Sequence, residues 1–230
     1  MLYCILGDSG SGKDTVVSKV LARDVRIHPV VQYTTRPRRP GEKNGREYFF
    51  VNLESEKDLK QYNPVEIRKY TVAGGDIWYY FTAEDSLKNI SKEDYIMPCS
   101  PSQFSSIYNK YKGDVFPIIL TVPDIDRLIR LVTRDKTQNV KELCRRFSED
   151  KDSMSMYIEN INAKLYCIEN DDLEVTLDRV MHLISNNRNR SYKHPMIHTF
   201  HKVLTLGEDA LRSGYGFRGL TNIKSEVQIL

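Results

Sequence analysis

Only four of the 230 residues are cysteine, and Cys4, Cys99, Cys144 and Cys167 never fall at the close spacing of a zinc-binding pair. Neither a disulfide scaffold nor a structural zinc site is expected. Long apolar runs are also lacking. Stretches such as Met1–Leu6 and Pro117–Val122 are far short of the ~20 residues that cross a bilayer, so no membrane partner is expected. Charge of one sign is scarce: 34 Lys+Arg against 31 Asp+Glu leaves +3. That sum gives no reason to expect a nucleic acid polymer. Met1 leads straight into an apolar strand without a basic leader, so a cytoplasmic location with reduced thiols is expected. Internal repeats are absent.

The pattern that is present alternates strand and helix. Leu2–Leu6 reads as a buried strand, residues 7–12 as a glycine-rich turn, and Lys13–Arg23 as a helix with Val16, Val17, Val20 and Leu21 at helical spacing. Strand, glycine loop and helix open an α/β domain. From about Val30 to Thr82 the chain changes. The short β-branched or aromatic segments Val30–Thr35, Glu47–Asn52, Val65–Val72 and Ile77–Thr82, parted by Pro and Gly, suggest an inserted and mostly antiparallel subdomain. The α/β pattern then resumes. Strands are expected at Asp94–Met97, Val115–Val122 and Leu165–Ile168, and helices at Ser102–Tyr111, Ile125–Thr133 and Leu173–Ser185. The charged segment from Arg134 to Asp152 reads as mobile. The polar run 186–190 reads as a boundary.

The first chemical signal is Gly7-Asp-Ser-Gly-Ser-Gly-Lys13, which fits G-x-x-x-x-G-K between a strand and a helix. Backbone N–H groups at Gly7, Ser9, Gly10, Ser11 and Gly12 are candidates to cradle phosphate, aided by the helix N-terminus. Lys13 adds a point charge on the outer phosphates. The hydroxyl residue usual after the lysine is replaced by Asp14, with Thr15 following. Asp14 is either a Mg²⁺ ligand or a first-turn acid favoured by the helix dipole.

The second signal runs from Thr34 to Phe50: Thr-Thr-Arg36-Pro-Arg-Arg39-Pro-Gly-Glu42-Lys-Asn-Gly-Arg-Glu-Tyr48-Phe-Phe. Arg36 and Arg39, three apart on a proline-stiffened loop, can converge on one dianion through their fork-shaped donors. Tyr48 can add a hydroxyl. Glu42 would be repelled by phosphate, so it either orients an arginine or contacts a base or ribose.

These two segments, in this order, resemble the guanylate kinase family, whose acceptor signature is T-T-R-x-x-R-x-G-E-x-x-G-x-x-Y-x-F. Further landmarks are similar. Glu66-Ile-Arg-Lys-Tyr70 resembles the segment whose glutamate lies near guanine, and Trp78-Tyr-Tyr80-Phe-Thr82 the segment whose second tyrosine holds the monophosphate. Arg130-Leu-Val-Thr-Arg134 and Leu143-Cys-Arg-Arg146-Phe147 resemble the arginine-bearing lid. Asn170-Asp-Asp-Leu173 resembles the segment near the donor adenine, although Asn170 is equally placed to cap the helix after it.

The resemblance covers about residues 1–185 and implies a three-layer P-loop kinase fold. Its parts would be a parallel core sheet, a nucleoside monophosphate subdomain at about 33–82 and a lid at about 134–152. Residues 186–230 form a C-terminal extension of unknown role. The implied reaction is phosphoryl transfer from Mg²⁺·ATP to GMP or dGMP. It places Lys13, Arg130, Arg134 and Arg146 on the transferring group, with Arg145 as a register alternative. Arg36, Arg39, Glu42, Tyr48, Glu66, Tyr80 and Thr82 fall at the acceptor. A ribose 1,5-bisphosphate kinase, suggested by Ser9-Gly-Ser-Gly-Lys-Asp14, and a non-catalytic binding module are the alternatives.

The sequence also departs from the family. Gln32 stands where a serine reads the guanine, Phe81 replaces a glycine, and Thr71–Ile77 is longer than usual. No acidic segment follows the strand at Asp94, which leaves Ser100, Ser102 and Gln103 as candidates for that role. The extension carries His194, His198 and His201, read as solvated or docked rather than metal-bound. An amphipathic stretch at Val203–Leu211 is a candidate contact with the core or with a second subunit.

Overall fold

The computed structural model describes residues 1–71, 75–134, 144, 147, 165–190 and 227–229, with backbone alone at 134, 190 and 227–229. Two sheets carry the described chain.

The larger sheet is wholly parallel. Its strands are β1 (Leu2–Leu6), β2 (Ile27–Pro29), β7 (Asp94–Cys99), β8 (Val115–Thr121), β9 (Leu165–Glu169) and β10 (Val227–Ile229), in the order β10-β9-β8-β1-β7-β2. All five residues of β1 are buried. Parallel strands covered on both faces must be apolar throughout, which is why β1 reads as a continuous run. Helices α1 (Lys13–Arg23), α2 (Pro101–Tyr111), α3 (Asp124–Arg134) and α4 (Leu173–Arg190) connect the strands. One core layer gathers Val16, Val20, Ile118, Leu177 and Val180; the other gathers Leu6, Met97, Phe104 and Ile107.

The smaller sheet holds β3 (Gln32–Thr34), β4 (Tyr48–Phe50), β5 (Pro64–Thr71) and β6 (Ile77–Ala83), in the order β4-β3-β6-β5. Its β3–β6 and β5–β6 pairs are antiparallel and its β3–β4 pair is parallel. Strand residues alternate between faces. Tyr33, Tyr79 and Phe81 point one way and pack with Leu59 and Tyr62. Phe81 is fully buried and stacks on Tyr33 at 5.2 Å between centroids. Its large ring, unexpected beside the family pattern, fills this satellite core.

Two strands and one helix end differ from the sequence reading. β2 is too short, and closes on a proline, for its pattern to register. β10 pairs with β9 through Val227↔Leu165 to Ile229↔Cys167, inside the extension. The polar run read as a boundary is the last turn of α4. There Arg188 pairs with Asp24 at 2.6 Å and with Asp94 at 2.5 Å, while Asn187 donates to the Tyr3 hydroxyl at 3.3 Å. Most of residues 134–152, and the histidines of the extension, lie outside the described residues.

Candidate active site

The phosphate loop leaves β1 and ends on the first turn of α1. Gly12 adopts φ +86°, and a Cβ there would stand 2.5 Å from Asn170 Nδ2. Gly10 adopts φ +84°, and a Cβ there would stand 2.8 Å from the Arg127 carbonyl. Conformation and space therefore both demand glycine at these positions. The loop closes on itself: Ser11 N–H donates to the Asp8 carbonyl at 3.1 Å, and Lys13 Nζ donates to the same carbonyl at 3.3 Å.

A chain of hydrogen bonds fixes the loop to its neighbours. Asn170, buried just after β9, donates from Nδ2 to the Ser11 carbonyl at 2.7 Å. Its own carbonyl accepts from Arg130 Nη2 at 2.8 Å. The capping alternative for Asn170 is thereby corrected. Asp172 caps α4, its Oδ1 accepting from Val175 N–H at 3.0 Å, because the side chain of Asn170 is already engaged with the loop.

Arg127, absent from the sequence candidates, is the most buried cation at this edge, at 4% exposure. Its Nη1 bonds Asp8 at 2.7 Å and Asp124 at 3.0 Å, its Nε donates to the Ser9 carbonyl at 3.2 Å, and its Cζ lies 4.6 Å from the Phe147 ring centroid. The signal was available: Arg127, Arg130 and Arg134 fall at i, i+3 and i+7 on one helix. Only the backbone of Arg134 is described, and Arg145 and Arg146 lie outside the described residues.

The second half of the site is the face of the small sheet turned away from Phe81. Gln32 lies opposite Tyr48, Thr34 opposite Tyr80, Glu66 opposite Thr82, and Arg68 opposite Tyr80. Residues directly opposite share a face, so Gln32, Tyr48, Glu66, Arg68, Tyr80 and Thr82 form one polar surface. At one end lies the loop arginine. Arg36 is held by Glu42 through two bonds of 3.0 and 2.8 Å, and its Cζ sits 5.7 Å from the Tyr48 ring centroid. Glu42 Oε2 also accepts from Arg39 N–H at 2.7 Å. Both Glu42 oxygens are thus occupied by the loop. Of the readings left open, orienting an arginine is the one that the geometry supports. Pairing with Arg36 first, and then the Arg39 N–H, pulls the Glu42 carboxyl down to about 2. The Arg39 side chain is exposed.

Tyr48 and Tyr80 meet edge to face at 5.6 Å. Burial pushes the Tyr48 phenol up; Arg68 and Arg36 oppose that, while Tyr80 and Asp14 add to it.

At the other end, Glu66 is buried and Thr82 fully so. Thr82 Oγ1 donates to Glu66 Oε1 at 2.9 Å, and Gln103 Nε2 donates to the same oxygen at 3.0 Å. Of the three candidates beside the missing acidic segment, only Gln103 reaches Glu66. Ser100 caps α2 instead, its Oγ accepting from Gln103 N–H at 3.3 Å and lying 3.1 Å from Ser102 Oγ.

Known proteins are similar to this chain. A family model described as guanylate kinase matches residues 1–187. The guanylate kinase of Novosphingobium aromaticivorans is 26% identical over 192 residues, covering 83% of each chain. That of Aromatoleum aromaticum is 29% identical over 190 residues, covering 82% of this chain and 89% of the relative. The crystal structure of guanylate kinase from Anaplasma phagocytophilum shares the fold, with a TM-score of 0.57, 20% identity, and 94% and 95% of the two chains covered.

Proposed function

Since the chain belongs to the guanylate kinase family and is a nucleoside monophosphate kinase that phosphorylates GMP from ATP, we propose how its residues divide that work. The observation that carries the proposal is the phosphate loop at the head of α1, with Gly10 and Gly12 at positive φ and with Lys13 and Asn170 bonded to it.

Lys13 and the loop N–H groups hold the donor phosphates, with Arg130 and, from their sequence positions, Arg134 and Arg146 on the transferring group. Arg36, Arg39, Tyr48 and Tyr80 hold the acceptor phosphate, and Glu66 with Thr82 faces the base. Asn170 and Arg127 position the loop. The transferring group in such a reaction spreads negative charge over its oxygens, so catalysis rests on placement and cationic stabilisation rather than on a base. Arg36 suits this, because Glu42 fixes its guanidinium before any nucleotide arrives, which lowers the reorganisation needed at the reacting charge. A Mg²⁺ ion accompanying ATP would neutralise phosphate charge. Asp14, exposed in the first turn of α1, supplies a hard oxygen donor for it. Among the described residues no three metal-ligating side chains converge, which suits an ion held mostly by phosphates with one carboxylate.

The small sheet belongs in this reading to an acceptor subdomain at about 33–82, and residues 134–152 to a lid. Free Cys4, Cys99, Cys144 and Cys167 accord with a cytoplasmic setting, and among the described residues no helix is long and apolar enough to cross a membrane. Neither alternative reading is favoured by the family match.

Release of ADP, coupled to an indicator reaction and measured with each ribo- and deoxynucleoside monophosphate, tests the proposal. GMP or dGMP should drive turnover. No acceptor-dependent ADP with any of them would overturn it, and turnover of ribose 1,5-bisphosphate without GMP would replace it.

A further inference from the structure

Arg68 has no assigned part in the reaction, yet it stands in the middle of the polar face. It follows Glu66 by two strand positions and lies opposite Tyr80. Its Nε is 3.3 Å from Glu66 Oε2, its Nη2 donates to Gln32 Oε1 at 3.1 Å, and its Cζ is 5.9 Å from the Tyr80 ring centroid. The side chain is 25% exposed, beside a Glu66 that is 4% exposed. Nε is buried without a hydrogen bond, and the one hydrogen bond the guanidinium donates among the described residues is that of Nη2 to Gln32.

Gln32 has less freedom. Its Oε1 accepts from Arg68, and its Nε2 donates to Thr82 Oγ1 at 3.2 Å. One amide N–H of Gln32 is left, against several on Arg68, so the Arg68 guanidinium is the larger donor beside the Glu66 carboxylate.

We infer that Arg68 is a specificity-determining residue that reads the 6-oxo edge of the acceptor purine. This rests on the acceptor pocket proposed above. Glu66 accepts and Arg68 donates, side by side. A 6-oxopurine presents the complementary pair, an N1–H donor next to an O6 acceptor. Adenine presents the reverse, an acceptor N1 next to a donor N6, and meets like with like at both positions. Arginine paired with guanine O6 and N7 is a strong form of base discrimination, and a site built for a hydrogen bond rejects a ligand that cannot complete it. The Ser100 and Ser102 hydroxyls are turned to helix capping and to each other. The 2-amino group then has fewer readers than the 6-oxo group, and inosine monophosphate should be accepted alongside GMP.

The test compares kcat/KM for GMP, IMP and AMP in wild type, Arg68→Met and Arg68→Lys. Wild type should use IMP within about tenfold of GMP and strongly disfavour AMP. Arg68→Met should lower kcat/KM for GMP and IMP about 10- to 100-fold through KM, with AMP little changed. Arg68→Lys, which keeps a donor, should recover part of the loss. An equal fall for all three acceptors, or an unchanged GMP-to-AMP ratio, would overturn the assignment. So would wild-type preference for AMP over IMP, a result that needs no variant to fold. Wild type inactive with every acceptor would instead sink the proposed function itself.

Discussion

The two sheets solve opposite problems. β1 is buried along its whole length, and any apolar side chain of suitable volume serves there. β6, running from Ile77 to Ala83, alternates: Tyr79 and Phe81 build a small core, while Tyr80 and Thr82 lie on the polar face proposed for the acceptor. A single step along that strand crosses from packing to chemistry. In the proposed reading the core sheet carries function at its loops, whereas the small sheet carries it in its strands.

The largest test of this contrast is at the loop. Lys13→Met should lower kcat about 1,000-fold and leave the thermal midpoint close to wild type, since among the described residues Lys13 makes one long bond, to the Asp8 carbonyl. Next, Phe81→Ala should cost about 3 kcal/mol in denaturant unfolding of the small sheet, with the GMP-to-AMP ratio unmoved. The neighbouring Thr82→Val should do the reverse, costing only about 1 kcal/mol while raising the KM for GMP. If both variants changed the same quantity, the two-faced description of β6 would fail.

In the core, Arg188→Met should cost about 2 kcal/mol by leaving the buried Asp24 short of a partner. Arg26 first, and then Arg188, hold the Asp24 carboxyl well below the usual carboxylate range against the opposing effect of burial. A depressed carboxyl stabilises the fold above its unfolded value, and the contribution is lost as pH falls towards the folded value. Unfolding midpoints should thus be flat from pH 7 to 5 and drop below about pH 4, less steeply in the variant. The smallest effect is expected at Glu42→Gln, a rise of about threefold in the KM for GMP. Because the Glu42 carboxyl is pulled down to about 2, that KM should show no dependence on this group between pH 8 and 5.

Much of this was legible in the sequence because local pattern and site coincide. The glycine loop, α1, and the segment from Thr34 to Phe50 carry their chemistry in consecutive residues. What escaped was relational. Arg68 acquires meaning only from register, which sets it beside Glu66 and opposite Tyr80. Arg127 gains its role from Asp8, more than a hundred residues away. The run 186–190 looks like a linker because its residues are polar, but Arg188 is polar in order to reach Asp24 and Asp94. The parallel pairing of β3 with β4 likewise leaves no trace in either strand's composition.

The pairing of β10 with β9 bears on how the protein behaves in concentrated solution. An edge strand offers a row of unsatisfied N–H and C=O groups to any passing chain. Along β9 that row is taken up by Val227–Ile229. A version ended after Arg190 would retain the phosphate loop and the whole polar face of the small sheet, yet present β9 as an open template. Its loss would be read in light scattering and shelf life before it was read in turnover.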